Sequence, residues 1–394
     1  MLHYPSRSAM ALVLACPLLL PSAGFAFEAT DNAIAQRFLE TVEAGDAVVT
    51  GYKSVESAND TVTISGLEAT LADDDEARLT IDETLLSGAK ILENGRLSVV
   101  TMTLKGVTIE DDDDDDVRIT VKTINVADAV LPSPEEVEAK GGADAVAPSY
   151  SRAELVDMLI DAGEEGQVPV ARVLAQIDSM DGDLPTAGSV QAEGITIAAA
   201  SLDADGKKAM TDLGYESITL SLEMQANWDP DGGVLSLNTL KVSGEEAATL
   251  IASLRMSGVT REVMAELEKA QDNPEQAMGL MQNLLVDQIS IRIDNDSLVD
   301  RVLDKQAKEA GSSREEFVGQ LAGALPLMLS VINNADFQKK VASAATAFLK
   351  DPKSLTAKAA PPAPVPFAQI LGTAMMAPQS LPDILGVSIS ANED

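Results

Sequence analysis

The sequence holds one histidine and one cysteine, His3 and Cys16, and both lie in its opening stretch. That stretch, "MLHYPSRSAMALVLACPLLLPSAGFAF", starts polar with Arg7 and carries an apolar run from Met10 to Leu20. Gly24 and Ala26 stand at minus three and minus one to a cut before Phe27. The pattern predicts a secretory signal peptide over 1–26, cleaved between Ala26 and Phe27, and too proline-broken to anchor. "VLAC" loosely resembles a lipoprotein signal, but the apolar run continues past Cys16 and Leu14 is a poor fit, so no lipid is expected.

A chain cut at Phe27 has neither histidine nor cysteine. Ser-His-Asp triads, Cys-His pairs, thiol redox couples and His/Cys zinc sites are then excluded. No disulfide can form, so an exported chain relies on its core.

Basic residues are also scarce. Lys plus Arg total 28 against 63 Asp plus Glu, a net charge of −35, and loss of Arg7 adds one more negative unit. Such a surface repels phosphate backbones and anionic headgroups, so no nucleic-acid partner is expected. Aromatic residues make up 3% of the chain, with one tryptophan, Trp228. Sugar clefts use aromatic platforms, which argues against glycoside chemistry, and Trp228 beside a turn reads as a packing anchor.

Long uninterrupted apolar runs are missing too. Residues 359–382 lack charge but contain six prolines, including Pro361, Pro366 and Pro378. Phe317–Ile332 is apolar but short, and holds Gln320 and Pro326. Both read as packed segments, and no transmembrane segment is expected in the mature chain.

What is present is a repeat. "TVTISGLEATLADDDEARLTIDETLL" (61–86) lies without a gap on "TMTLKGVTIEDDDDDDVRITVKTINV" (101–126). Thr61, Thr63, Gly66, Asp73, Asp74, Asp75, Arg78 and Thr80 meet identical residues. Alternation such as Val62 and Ile64, then Leu79 and Ile81, marks strands with one buried face. Gly66 and Gly106 suit bulges. The acidic run Asp111–Asp116 falls between two such strands. Like charges resist cross-strand pairing, so it reads as a solvated hairpin tip rather than a calcium loop.

Further along, a helix starts at Asp31 or Asn32 with Ile34, Phe38 and Val42 on one face. Residues 27–131 then hold that helix and the two β units. "LPSPEEVEAKGGADAVAPS" (132–149) reads as a mobile linker. Ser151 and Glu154 form a capping-box pattern opening a helix through Leu155, Met158 and Leu159, with a second helix over Val170–Ile177. Strands resume from Ser189, giving 150–258 as helices plus a second β segment. Asp229–Gly233 is a hairpin turn. Residues 259–350 read as mainly helical, with "DQISIRID" as an inserted strand and Ser312 with Glu315 as a cap. Residues 351–394 form a Pro-rich tail with a short helix and a final strand.

Chemistry-bearing patterns are few. Ser201, Asp203, Asp205, Gly206 and Asp212 have EF-hand spacing, which makes Asp203, Asp205 and Asp212 calcium candidates. A strand enters the segment and Lys207 and Lys208 interrupt it, so a turn into a short helix is the preferred reading. "SGAK" (87–90) matches S-x-x-K but lacks its partner motifs. No catalytic residue and no cofactor is assigned; a carboxylate-based hydrolase is the remote alternative.

Two non-enzymatic classes remain. One is an apolar-ligand binder, for a lipid or other apolar small molecule, lined by Met264, Met278, Met281 and by Phe367, Ile370, Leu371 and Met375 along one side of a tail helix packed on the sheet. The other is a structural protein docking an envelope protein partner. The fold class expected is α+β, with repeated antiparallel β units forming a long curved sheet covered by helices.

Units of the form "TVTISGLEATL…RLTIDETLLSGA" and the tail "LTAKAAPPAPVPFAQILGTAMMAPQSLPDILGVSISAN" are similar to exported proteins of Gram-negative bacteria, and through them to the AsmA-like class of envelope proteins. The resemblance covers the β units and tail and carries no catalytic motif. It implies a periplasmic, β-rich, non-enzymatic protein. The chain departs from AsmA-like proteins in the expected cleaved signal where they have an N-terminal membrane anchor, which argues against bridging two membranes.

Overall fold

A computed structural model describes residues 28–45, 47–71, 74–110, 117–140, 142, 146, 148–163, 166–182, 184–270 and 273–393. The signal peptide, its Ala26–Phe27 cut and the acidic run Asp111–Asp116 lie outside them. The chain is α+β: among the described residues seventeen strands belong to one hydrogen-bonded antiparallel sheet, accompanied by helices. It packs as two units. The first runs to Ile177 and adds Ala192–Leu202; the second holds Asp178–Gln191 and Asp203–Asp394.

The first unit opens with helix α1 (Ala33–Glu43), capped by Asn32, whose Oδ1 accepts from the backbone N–H groups of Ile34 and Ala35. Its buried face is Ala35, Phe38 and Leu39, turned from the expected Ile34–Phe38–Val42 stripe. Strands β1 (Ala47–Gly51), β2 (Ser54–Ala58), β3 (Thr61–Leu71), β4 (Asp74–Ser87), β5 (Lys90–Ile91), β6 (Leu97–Glu110), β7 (Val117–Leu131), β8 (Arg152–Ala162), β9 (Gln167–Asp181) and β10 (Leu184–Ala198) follow. From β3 through β9, leaving aside the short β5, each pairs antiparallel with the next. One row of facing residues crosses six of them: Leu67, Ile81, Val107, Val121, Met158 and Val170. Every member of that row is buried.

A dislocation runs beside this row. Pairing skips Gly66 opposite Asp82, Gly106 opposite Lys122, and Asp157 opposite Ala171. Gly66, Gly106, Asp157 and Gly194 all have positive φ. One residue of each strand is skipped at this level and the register on either side is unchanged, so buried positions flanking it can lie three apart rather than two. Leu155 and Met158 on β8 are one case; Val170 and Val173 on β9 are another. This corrects two expectations. Residues 152–162 and 167–181 are strands, not helices; a strand in which one residue drops out of the pairing reproduces helical i, i+3 spacing. Glu154 does not cap a helix; it accepts from Arg172 Nε at 2.6 Å on the neighbouring strand.

The expected linker also carries structure. Pro134 begins helix α2 (Pro134–Lys140), with Glu135 and Glu136 in its first turn, where both proline and acidic side chains are favoured. Arg96 binds both Glu136 oxygens, at 2.7 and 2.5 Å, and Val137 is buried.

The second unit holds α3 (Ala204–Asp212), β11 (Ser217–Asp229), β12 (Val234–Gly244), β13 (Ala248–Ser257), α4 (Arg261–Lys269), α5 (Pro274–Met281), β14 (Leu285–Asn295), α6 (Leu298–Glu309), α7 (Arg314–Leu329), α8 (Ala335–Lys350), β15 (Ser354–Ala359), β16 (Val365–Pro366), α9 (Phe367–Met376), α10 (Leu381–Ile384) and β17 (Val387–Ala391). The β11–β12 turn falls at Asp229–Gly233 as expected, with Asp229 Oδ1 accepting from the N–H groups of Asp231 and Gly232. The cap of α7 is one residue later than expected: Ser313 and Glu316 form the capping box.

Candidate functional site

Strands β11 to β15 and β17 of the second unit have two chemically different faces. On one, Leu222, Val242, Leu250, Ile293, Leu355 and Ala391 face one another in a row across six strands. Two residues along, Met224, Leu240, Ala252, Ile291, Ala357 and Ile389 form the next row. A third row holds Ala226, Leu237, Leu254, Ile289, Ala359 and Val387. No polar side chain interrupts the three rows. The opposite face carries Glu223, Lys241, Ile251, Arg292, Thr356 and Ser390 in one row, and serines and threonines beside it.

Such alternation puts the apolar face against a core in most antiparallel sheets. Here the middle of that face is open. Ile291 is 46% exposed, Leu250 41% and Met224 37%. The equivalent central row of the first unit is buried throughout.

Both ends of the strands are closed. At one end Trp228, Leu235, Met256, Val286 and Val365 continue the pairing. Trp228 forms a buried cluster with Val259 and Leu284, and Val263 of α4 and Met281 of α5 pack on it. Its Nε1–H donates to the Val259 carbonyl at 2.6 Å. At the other end Tyr215, Ala247 and Leu303 are buried, and the Arg301 guanidinium lies 4.3 Å from the Tyr215 ring centre. Arg301 also donates to the Leu213 carbonyl at 2.9 Å, which fixes α6 over this end. Burial pushes the Asp300 carboxyl up, but hydrogen bonds from Arg314 and Asn295 outweigh it and hold its pKa below the ordinary value. The result is a trough with an apolar floor and helix-closed ends.

The residues singled out in the sequence are placed unevenly around it. Met281 packs at the Trp228 end, while Met264 and Met278 are exposed on α4 and α5. Phe367 donates its N–H to the Leu284 carbonyl at 2.9 Å and starts α9. Phe367, Ile370, Leu371 and Met375 do share that helix, but α9 buries none of its residues and Met375 is 86% exposed. The expectation that this side packs on the sheet is met only in part: Phe367 and Ile370 are half-buried where the short β16 pairs with β14, while Leu371 and Met375 are exposed. The apolar segment 317–332 is packed at its start, where Val318 is buried, but not at its end, where Leu327 is 79% exposed and Val331 80%.

The calcium candidates serve a helix. Asp203 caps α3 by accepting from Gly206 N–H at 2.7 Å. Asp205 lies exposed in the first turn, and Asp212 accepts from Lys208 and from Lys305 at 2.9 Å. Those two lysines hold the Asp212 pKa below its ordinary value. Helical backbone over 204–212 places these carboxylates apart from an EF-hand loop, and no cluster of three metal-ligating side chains occurs among the described residues. Ser87 ends β4 and its Oγ lies 2.8 Å from Thr61 Oγ1, a strand-end contact.

Sequence reading missed the trough's floor. Its signal was available in "SITLSLEM", "VLSLNTLKV", "ATLIASL" and "DQISIRID", which alternate in phase, but nothing in one strand reveals that its apolar side lacks a cover.

A family model whose description reads "Uncharacterized protein" matches residues 241–392, which span most of the trough strands and helices α4 to α10. No curated protein matches the chain.

Proposed function

We propose that this protein is a non-enzymatic, exported binder of an apolar ligand, a lipid acyl chain, held in the trough of the second unit. The observation that carries the reading is the uninterrupted apolar floor of six strands, open at Met224, Leu250, Ile291 and Ile293. Five strand spacings of about 4.8 Å give a floor about 24 Å wide. One lipid leaflet's hydrocarbon is about 15 Å deep, half of a 30 Å bilayer core, so an acyl chain fits across the floor. Burial of about 0.8 kcal/mol per methylene, over about ten methylenes, supplies about 8 kcal/mol before the costs of ordering. The floor carries no group able to attack a bond, in keeping with binding rather than turnover.

Mass spectrometry of organic extracts from protein purified from its own source should find acyl lipid, and a fluorescent fatty acid should compete with it. Ile291→Asp and Leu250→Asp should lower probe binding by at least tenfold without unfolding, because both side chains are already half exposed. Protein that carries no lipid and leaves the probe unbound would refute this reading.

A further inference from the structure

We infer that Arg255, Ser236 and Asp287, on the polar face of the second unit's sheet, form a binding site for a small zwitterionic amino acid. Asn227, Ser236, Arg255 and Gln288 face one another in a row across β11 to β14. This row lies between that of Ala226, Leu237 and Leu254 and that of Trp228, Leu235 and Met256, so it stands on the side of the sheet away from the trough floor. Two of its members lack partners. Ser236 is 5% exposed, yet its Oγ makes no hydrogen bond among the described residues. Arg255, directly across from it, is exposed, and among the described arginines it alone makes no ion pair, hydrogen bond or ring contact. In a chain with 63 acidic residues that is an exception. Facing side chains on neighbouring strands have Cβ atoms about 5 Å apart. One ligand oxygen set between Ser236 and Arg255 satisfies both donors.

A guanidinium beside hydroxyl and amide donors suits a carboxylate, which it holds through two parallel N–H···O bonds. The acids around it decide what else the ligand carries. Asp229, one row further on β11, is taken up by the N–H groups of its turn. Glu223 faces Lys241, Asp294 pairs with Arg292, and Lys358 stands on β15, two strands from Arg255. Asp287 is different. It neighbours Gln288, is skipped where β13 pairs with β14, and is half-buried. It does not pair with Arg255; one of its oxygens accepts from Ser257 Oγ–H at 2.7 Å. A bare anion at Arg255 meets Asp287 and a chain at −35, and a cation leaves Arg255 and Ser236 unpartnered. A zwitterion answers all three groups. Its carboxylate takes Arg255 and Ser236, its ammonium takes Asp287, and its net charge is zero. An α-amino acid carries those two charges on adjacent carbons. Ser253 and Ser290 face each other two residues along on the same side, which favours a small polar side chain. This inference stands apart from the trough reading, since these residues lie on the opposite face.

The test is calorimetric titration of the purified protein with glycine, L-serine, 3-hydroxypropionate and ethanolamine. The last two are L-serine without its ammonium and without its carboxylate. L-serine should bind at one site per chain, and each of the two fragments about tenfold more weakly or worse. Arg255→Gln and Asp287→Asn should each weaken L-serine by about tenfold or more, and Ser236→Ala should weaken it severalfold. Arg255 is exposed, and asparagine can still accept from Ser257, so both variants should fold and keep the fluorescent fatty-acid binding of wild type. The Ile291→Asp trough variant should bind L-serine as wild type does, which separates the two readings. Wild type that binds neither glycine nor L-serine overturns the inference, as does an Arg255→Gln variant that binds L-serine normally. Binding of 3-hydroxypropionate as tight as that of L-serine would remove the ammonium's part and overturn the zwitterion assignment.

Discussion

Leu250 and Ile293 face each other directly across β13 and β14, and both stay more than a third exposed in the middle of a six-strand apolar face. A cross-strand aliphatic pair of this kind contributes only a few tenths of a kcal/mol up to about 1 kcal/mol. Ile293→Thr should therefore change stability by less than about 1 kcal/mol. In the first unit, Val121 sits in the equivalent row and is buried, so Val121→Thr places a hydroxyl among apolar neighbours and should cost about 1–3 kcal/mol. Urea unfolding of the two variants checks the contrast, and equal losses would show that the trough is covered in solution.

The dislocation row predicts a glycine effect. Gly194 has a φ of +68°, and a Cβ there would stand 2.6 Å from the Ala171 Cβ, which no side-chain rotation can move. Gly194→Ala should cost about 2–4 kcal/mol from strain plus collision. Gly182, with a φ of +63° and open space around it, supplies the control, and Gly182→Ala should cost about 1 kcal/mol. Chemical denaturation that ranks the two alike would mean the strands are not held at this crossing.

Trp228 closes one end of the trough through its ring and one hydrogen bond. Trp228→Phe keeps much of the packing but leaves the Val259 carbonyl without its indole donor, an expected loss of about 1–3 kcal/mol. Trp228→Ala should cost about 3–5 kcal/mol. Chemical denaturation followed by circular dichroism reads both.

Acid should weaken the first unit. A hydrogen bond from Arg172 holds the Glu154 pKa below the ordinary carboxyl value, and one from Arg96 does the same for Glu136. A folded-state pKa below the unfolded one gives stability that is complete above the unfolded value and disappears as pH falls through the folded value. The melting temperature should therefore drop as pH falls from about 5 through the lowered carboxyl range. Glu154→Gln should be less stable at neutral pH and show a flatter acid limb. An unchanged limb would mean the pair is not formed in solution.

Removing residues 361–394 takes away β16 and β17, leaving β15 as a bare edge and uncovering Val286. The truncated protein should bind a hydrophobic dye and lose solubility. A folded, dye-negative product would mark the tail as a detachable element.

Local chemistry alone determined a good deal of this. Alternation in "TVTISGLEATL" and its copy forty residues on required strands with one apolar side, because side chains in a strand alternate whatever surrounds them. Asn32, the Asp229–Gly233 turn and the helices after Thr260 were readable for the same reason: caps and turns satisfy backbone groups within a few residues. The strands β8 and β9 were not readable. Leu155 with Met158, and Val170 with Val173, have the spacing of a helix face, and only the pairing of neighbouring strands, which skips Asp157 and Ala171 together, accommodates that spacing in a sheet. Cover is decided further away still. "ISIRID" and "RITVKTI" carry the same alternation, yet Val121 is buried and Ile291 is open. A strand's sequence fixes which side chains share a face; whether another element reaches that face depends on contacts distant in the chain, and the trough exists because, over the middle of β11 to β15, none closes it.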